Sequence, residues 1–147
     1  MKRAHYLAAR VLCLPSEIEH VSSALKLLMG GGENKQIAVS ATEPTEGATF
    51  ALVQTSLKKE SDINALFKFI TTHLSEQEKK QLVQEADSRI DDHLDFFIRF
   101  DKEEWMSHKK LKLTTQGNCF HLTFAMAAYP KNKERAVALV KEIFKTA

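Results

Sequence analysis

An alternation of period two in the stretch 93–130, HLDFFIRFDKEEWMSHKKLKLTTQGNCFHLTFAMAAYP, most constrains how this chain folds. Leu94, Phe96, Ile98 and Phe100 alternate with Asp95, Phe97, Arg99 and Asp101. Successive strand side chains point to opposite faces, so the first set covers a core and the second faces away from it. Lys110 to Thr115 repeats the pattern, with Leu111 and Leu113 inward and Lys110, Lys112 and Thr114 outward. Gln116-Gly117-Asn118 marks a turn, because Gly and Asn tolerate positive φ. In a third run Phe120, Leu122, Phe124 and Met126 point inward, between His121, Thr123, Ala125 and Ala127. Three such runs in succession predict an antiparallel meander with one covered and one partly open face. They would bring Arg99, Lys110 and Lys112 onto one patch.

Elsewhere the periodicity switches between two and 3.6. Leu7, Ala9 and Val11 alternate with Tyr6, Ala8 and Arg10, which predicts a first strand ended by Pro15. Ser16 to Glu19 has the form of a capping box. It opens a helix with Ile18, Val21, Leu25 and Leu28 on one stripe, and Gly30-Gly31-Gly32 ends it. These glycines follow a helix instead of leading into one, so they are not a phosphate loop. Residues 36–41 predict a strand with Ile37 and Val39 inward, 43–47 a hairpin-like loop, and 49–57 the return strand. Two helices follow. Ser61 or Asp62 caps the first, with Ile63, Leu66, Phe67, Ile70 and Leu74 on its stripe. Ser75 to Glu78 is a capping box for the second, which buries Leu82, Val83, Ala86 and Ile90. A last helix opens after Pro130 and buries Ala136, Leu139, Val140 and Ile143. The predicted class is α+β: a mostly antiparallel sheet with helices packed on one face, in the order β-α-β-β-α-α-β-β-β-α. Residues 1–147 are expected to form one domain.

Apolar residues make up 44% and charged residues 27% of the chain, which is ordinary for a water-soluble globule. No apolar run approaches the roughly 20 residues that span a bilayer. The segment after Met-Lys-Arg is broken by His5, Tyr6 and Arg10 and does not read as a signal peptide. The expected location is the cytoplasm, with no membrane partner. Cys13 and Cys119 belong to no CxxC pair or zinc-spaced cluster and read as buried thiols. Net charge is only +2, but it is unevenly spread. Residues 75–95 carry three Lys/Arg against seven Asp/Glu, whereas 99–135 carry eight against four.

Catalytic signals are sparse. Asp91-Asp92-His93 sits at a helix-to-strand junction with no converging ligands, and His108 and His121 accompany no nucleophile motif. The expectation is a protein that is not an enzyme and needs no cofactor or metal. The basic set is more informative. Arg99, Lys102, Lys109, Lys110, Lys112, Lys131 and Lys133 interleave with Trp105 and Tyr129. Cations neutralise phosphates and aromatic rings stack on unpaired bases, so these residues are the predicted RNA contacts. Trp105 has a second reading as a half-buried anchor, suited to its amphipathic ring.

The stretch FFIRFDKEEWMSHKKLKL, followed by AMAAYPKNKERAVALVKEIF, resembles an archaeal family of predicted RNA-binding or exosome-associated proteins. Asp101-Lys102, Trp105, Lys110 to Leu113 and Tyr129-Pro130-Lys131 carry the likeness, and the element order agrees over most of the chain. That family is similar in fold to the large-subunit ribosomal protein that binds five-S ribosomal RNA. The resemblance implies an α+β domain that contacts RNA in processing or ribosome metabolism. The chain departs from the family at 43–47, where Glu43-Pro44-Thr45-Glu46-Gly47 replaces a Gly-rich, His-containing turn. The alternative is a homodimeric protein-interaction module, with the small residues Ala4, Ala8, Ala125 and Ala127 permitting close approach.

Overall fold

The computed structural model describes residues 2–30, 37–41 and 49–145. Its five strands are β1 (Ala4–Cys13), β2 (Ala38–Ala41), β3 (Ala51–Leu57), β4 (Asp95–Asp101) and β5 (Cys119–Met126). They form one sheet in the order β2-β3-β1-β5-β4, with every pairing antiparallel. In β1, β4 and β5 the inward sets read from sequence are the ones buried: Leu7, Ala9 and Val11, Phe96, Ile98 and Phe100, and Phe120, Leu122 and Phe124; in β2 Val39, expected inward, is exposed.

The helices α1 (Ile18–Leu28), α2 (Glu60–His73), α3 (Glu76–Gln84), α4 (Lys102–His108) and α5 (Lys133–Phe144) leave the other sheet face open among the described residues. Phe67 of α2 stacks on Phe124 of β5, with ring centroids 4.4 Å apart, and meets Phe144 of α5 edge-on at 6.2 Å. Each such fully buried ring contributes roughly 1.5–3 kcal/mol of hydrophobic stabilisation. The expected α+β order is thus observed. No helix among the described residues is long and apolar enough to cross a membrane.

The meander takes a different form from the one expected. β5 pairs directly with β4, and the run 110–115 lies along the outer edge of β4. It is joined there by a bridge: Asp101 N–H donates to Lys112 O at 2.8 Å, and Thr114 N–H donates to Arg99 O at 3.0 Å. The cause is α4. The Asp101 carboxylate accepts from Glu104 N–H at 2.9 Å, so the chain turns into a helix as soon as β4 ends. Burying Trp105 then carries the return run to the far side of β4.

Local capping signals hold in some places and shift in others. The Ser75–Glu78 capping box forms as expected, with Glu78 N–H donating to Ser75 Oγ at 3.1 Å. Ser16 instead lies inside a 3-10 turn, Pro15–Glu17, and Glu17 caps it by accepting from Leu14 N–H at 3.0 Å. Pro15 has a fixed φ and no N–H to satisfy, so it starts the turn a residue early. The cap of α2 is Lys59, not Ser61 or Asp62. Gly30 ends α1 with φ 107, as a helix-ending glycine should. Gly31, Gly32 and the 43–47 loop lie outside the described residues.

Candidate functional site

Strand register builds a row of cations across the open face. It sets Arg10 of β1 opposite His121 of β5, and His121 opposite Arg99 of β4. One step along the strands, Ala8, Thr123 and Phe97 form a parallel row. All alternate with buried residues, so all face away from the helices. Arg10 Nε–H donates to His121 Nδ1 at 3.4 Å, and the Phe97 and His121 rings lie parallel with centroids 5.6 Å apart.

Among the described residues, neither Arg10 nor Arg99 has a carboxylate within ion-pair distance. Arg99 donates to Thr115 O at 3.5 Å, a long bond to a neutral acceptor. Arg89, beside them, is committed: it pairs with Glu85 at 2.8 Å and donates to Phe97 O at 3.2 Å. Two cations on an open sheet face, with no counter-ion among the described residues, constitute an anion-receptive surface.

The row shapes two hollows that share Arg99 and His121. One, of about 320 Å³, has an apolar wall of Leu12, Leu52 and Cys119. The other, of about 450 Å³, is walled by Phe97, Arg89 with its partner Glu85, Ser88, Thr114 and Thr115. Burial lowers the His121 pKa below the usual histidine value, and Arg10 and Arg99 lower it further. His121 is therefore neutral near pH 7, which agrees with Nδ1 accepting from Arg10. Burial raises the Cys119 thiol above its ordinary range, outweighing the lowering by Arg99 and Arg10. Cys119 is thus a protonated thiol and a poor nucleophile. Cys13 is likewise free and buried.

The sequence-predicted residues separate into three groups. Arg99 and Lys112 share the open side, and Lys110 is exposed where the chain leaves α4. Lys112 and Thr114 alternate with Leu113, which bridges the core residue Phe100, so they face as Arg99 does. Lys102 and Trp105 are withdrawn into structure, and Lys109, though exposed, is tied to its own helix. Lys102 is 8% exposed, and its Nζ donates to Leu12 O at 3.1 Å with Glu17 at 3.9 Å. Lys109 is the left-handed C-cap of α4, and its Nζ donates to Met106 O at 2.8 Å, neutralising the helix's negative end. Trp105 is buried and donates through Nε1 to Ala24 O at 2.9 Å, so its ring has no free face for a base. The anchor reading is the one its environment supports.

Tyr129, Lys131 and Lys133 belong to the opposite end of the sheet. At ~3.3 Å per residue, β5 alone separates the two ends by about 23 Å. There Tyr129 is 68% exposed and meets His5 edge-on, while Lys133 lies 3.9 Å from Asp87. Ala4 and Ala127 are buried within the chain, so they offer no surface to a second copy. Arg10 and Phe97 are absent from the predicted RNA contacts, and the sequence marks His121 only as a titratable group. The signal for all three is their outward phase in strands that alternation identifies. Which strands are neighbours, however, follows from pairing between segments 111 residues apart. No group of three or more metal-ligating side chains occurs among the described residues.

Known proteins resemble the chain in sequence and in fold. A family model described as RNA binding matches residues 6–126. The RNA-binding protein PAB1135 of Pyrococcus abyssi is 26% identical over 144 residues, covering 95% of this chain and 93% of the relative. Two solved archaeal structures share the fold. Protein AF2318 from Archaeglobus fulgidus superposes with TM-score 0.84 at 22% identity, covering 96% of this chain and 99% of the other. Mth689 from Methanothermobacter thermautotrophicus superposes with TM-score 0.81 at 19% identity, covering 97% and 99%.

Proposed function

The chain belongs to the RNA-binding family whose model spans residues 6–126, and from that premise we propose that it is a non-catalytic RNA-binding protein that works through its open sheet face. The observation that carries this reading is the row Arg10–His121–Arg99, in which neither arginine has a carboxylate partner among the described residues. Across the edge of β4 the residue opposite Arg99 is Thr114; Lys112, opposite Asp101, adds a cation one step along, and Lys110 and Lys112 are both exposed. Phe97 supplies an aromatic ring beside them. This is the combination that captures a phosphate chain and stacks its bases. Lys131, Lys133 and Tyr129 form a separate basic and aromatic cluster, which takes a second, weaker hold on a long RNA. The likeness of the 96–144 stretch to exosome-associated archaeal proteins supports a role in RNA processing or ribosome metabolism, in the cytoplasm.

Binding of labelled total RNA at two salt concentrations tests the reading. Affinity should fall as salt rises. The log–log slope should shrink by about 0.7 for each single-strand phosphate left unneutralised when Lys110 and Lys112 become Ala. Salt-insensitive binding, or no binding, rejects it.

A further inference from the structure

We propose that the two hollows flanking the Arg99–His121 ridge each seat one unpaired nucleotide, with the phosphate that links them held on the ridge by Arg10, Arg99 and His121. This rests on the RNA-binding reading and deepens it: the ligand is single-stranded RNA, not a duplex. The hollows share those two ridge residues and lie on either side of them, as two consecutive nucleotides lie on either side of one phosphate. Their volumes, about 320 and 450 Å³, fall at the lower end of small-ligand sites.

The two seats differ in chemistry. One offers the apolar side chains of Leu12 and Leu52, against which a base can pack without hydrogen bonds. The other offers the Phe97 ring for stacking, with the hydroxyls of Ser88 and Thr114 at its wall for a base edge. A duplex hides the base faces that these walls would touch, and it presents only its backbone and shallow groove. An unpaired strand exposes both.

The ridge is poised for an anion. His121 now accepts from Arg10 and is neutral, because burial and then the two neighbouring arginines disfavour its cationic form. The charged or titratable groups around it are Arg10 on β1, Arg99 and Asp101 on β4, Cys119 on β5, and Arg89 with Glu85, both lining the larger hollow. Asp101 is occupied in capping α4, and Glu85 in holding Arg89. A phosphate seated between the arginines reverses the local sign. It favours protonated His121, which then donates to the phosphate instead of accepting from Arg10.

The test uses the full chain, a fluorescein-labelled single-stranded RNA ten-mer and the same ten-mer annealed to its complement. Anisotropy should show the single strand bound roughly tenfold or more tightly than the duplex. Phe97→Leu, which keeps apolar volume but removes the stacking ring, should lose roughly tenfold for the single strand only. The His121 imidazole, followed by NMR, should titrate at higher pH once the ten-mer is bound. Equal affinity for duplex, an unaffected Phe97→Leu protein, or an unmoved His121 overturns the nucleotide seats while leaving RNA binding intact. Failure to bind either form overturns both readings.

Discussion

His121 accepts a hydrogen bond from one arginine, lies beside another, and stacks parallel to Phe97. Its pKa in the folded protein is lowered, first by burial and then by Arg10 and Arg99. In the unfolded chain it returns to about 6.5. The unfolded state therefore binds the proton first as pH falls. The stability tied to neutral His121 is fully present above about pH 6.5 and is lost as pH drops toward the depressed folded value. Replacing His121 with Gln should flatten this part of the stability–pH curve without changing the plateau near pH 8. Thermal melts of the two proteins at pH 5 and pH 8 check it. An unchanged pH dependence would mean that His121 is solvated and free to protonate. Lys102, Lys109 and Trp105 show the converse. Their types and their spacing in sequence suit a phosphate-and-base site, yet each spends its polar atoms on a backbone carbonyl. Composition shows which side chains are able to meet RNA, and only packing shows which are already engaged.

Between elements, the decisive tie is a single carboxylate. Glu78 closes the capping box of α3 through Oε1, while its Oε2 accepts from Leu113 N–H at 2.8 Å. One residue thus starts a helix and pins the edge run that carries Lys110, Lys112 and Thr114. Glu78→Ala should cost about 1–2 kcal/mol, from the missing cap and an unmet N–H. It should also speed hydrogen exchange at Leu113 and weaken RNA binding, although Glu78 is itself acidic. Unchanged exchange at Leu113 would show that the edge run is held by its bridge to β4 alone. The capping box is legible from Ser75 and Glu78 because it is local. The second bond is not, since it spans 35 residues and depends on where α4 sends the chain. The same limit explains the meander. Alternation identifies the inward and outward sets of β1, β4 and β5 correctly. It is silent about which strands are neighbours, so chain order alone puts the edge run 110–115 between β4 and β5.

At the scale of the whole molecule, one face of a five-stranded sheet carries the helices and the other carries the proposed site. The likeness to AF2318 and Mth689 concerns that architecture, while the family match concerns RNA. The division of labour follows from the period of a strand. Every second residue of β1, β4 and β5 is committed to the aromatic core, and every other one is released to meet a ligand. Two groups of cations lie toward opposite ends of the sheet, and the proposed site is the one whose arginines have no carboxylate partner among the described residues. Comparing Arg10→Gln/Arg99→Gln with Lys131→Ala/Lys133→Ala tests this most directly, through the salt dependence of single-stranded RNA affinity. The arginine pair is predicted to weaken binding and to lower the log–log slope by about 0.7 for each phosphate it no longer neutralises, while the lysine pair changes little. A slope that collapses with Lys131 and Lys133 and survives the removal of Arg10 and Arg99 would contradict it.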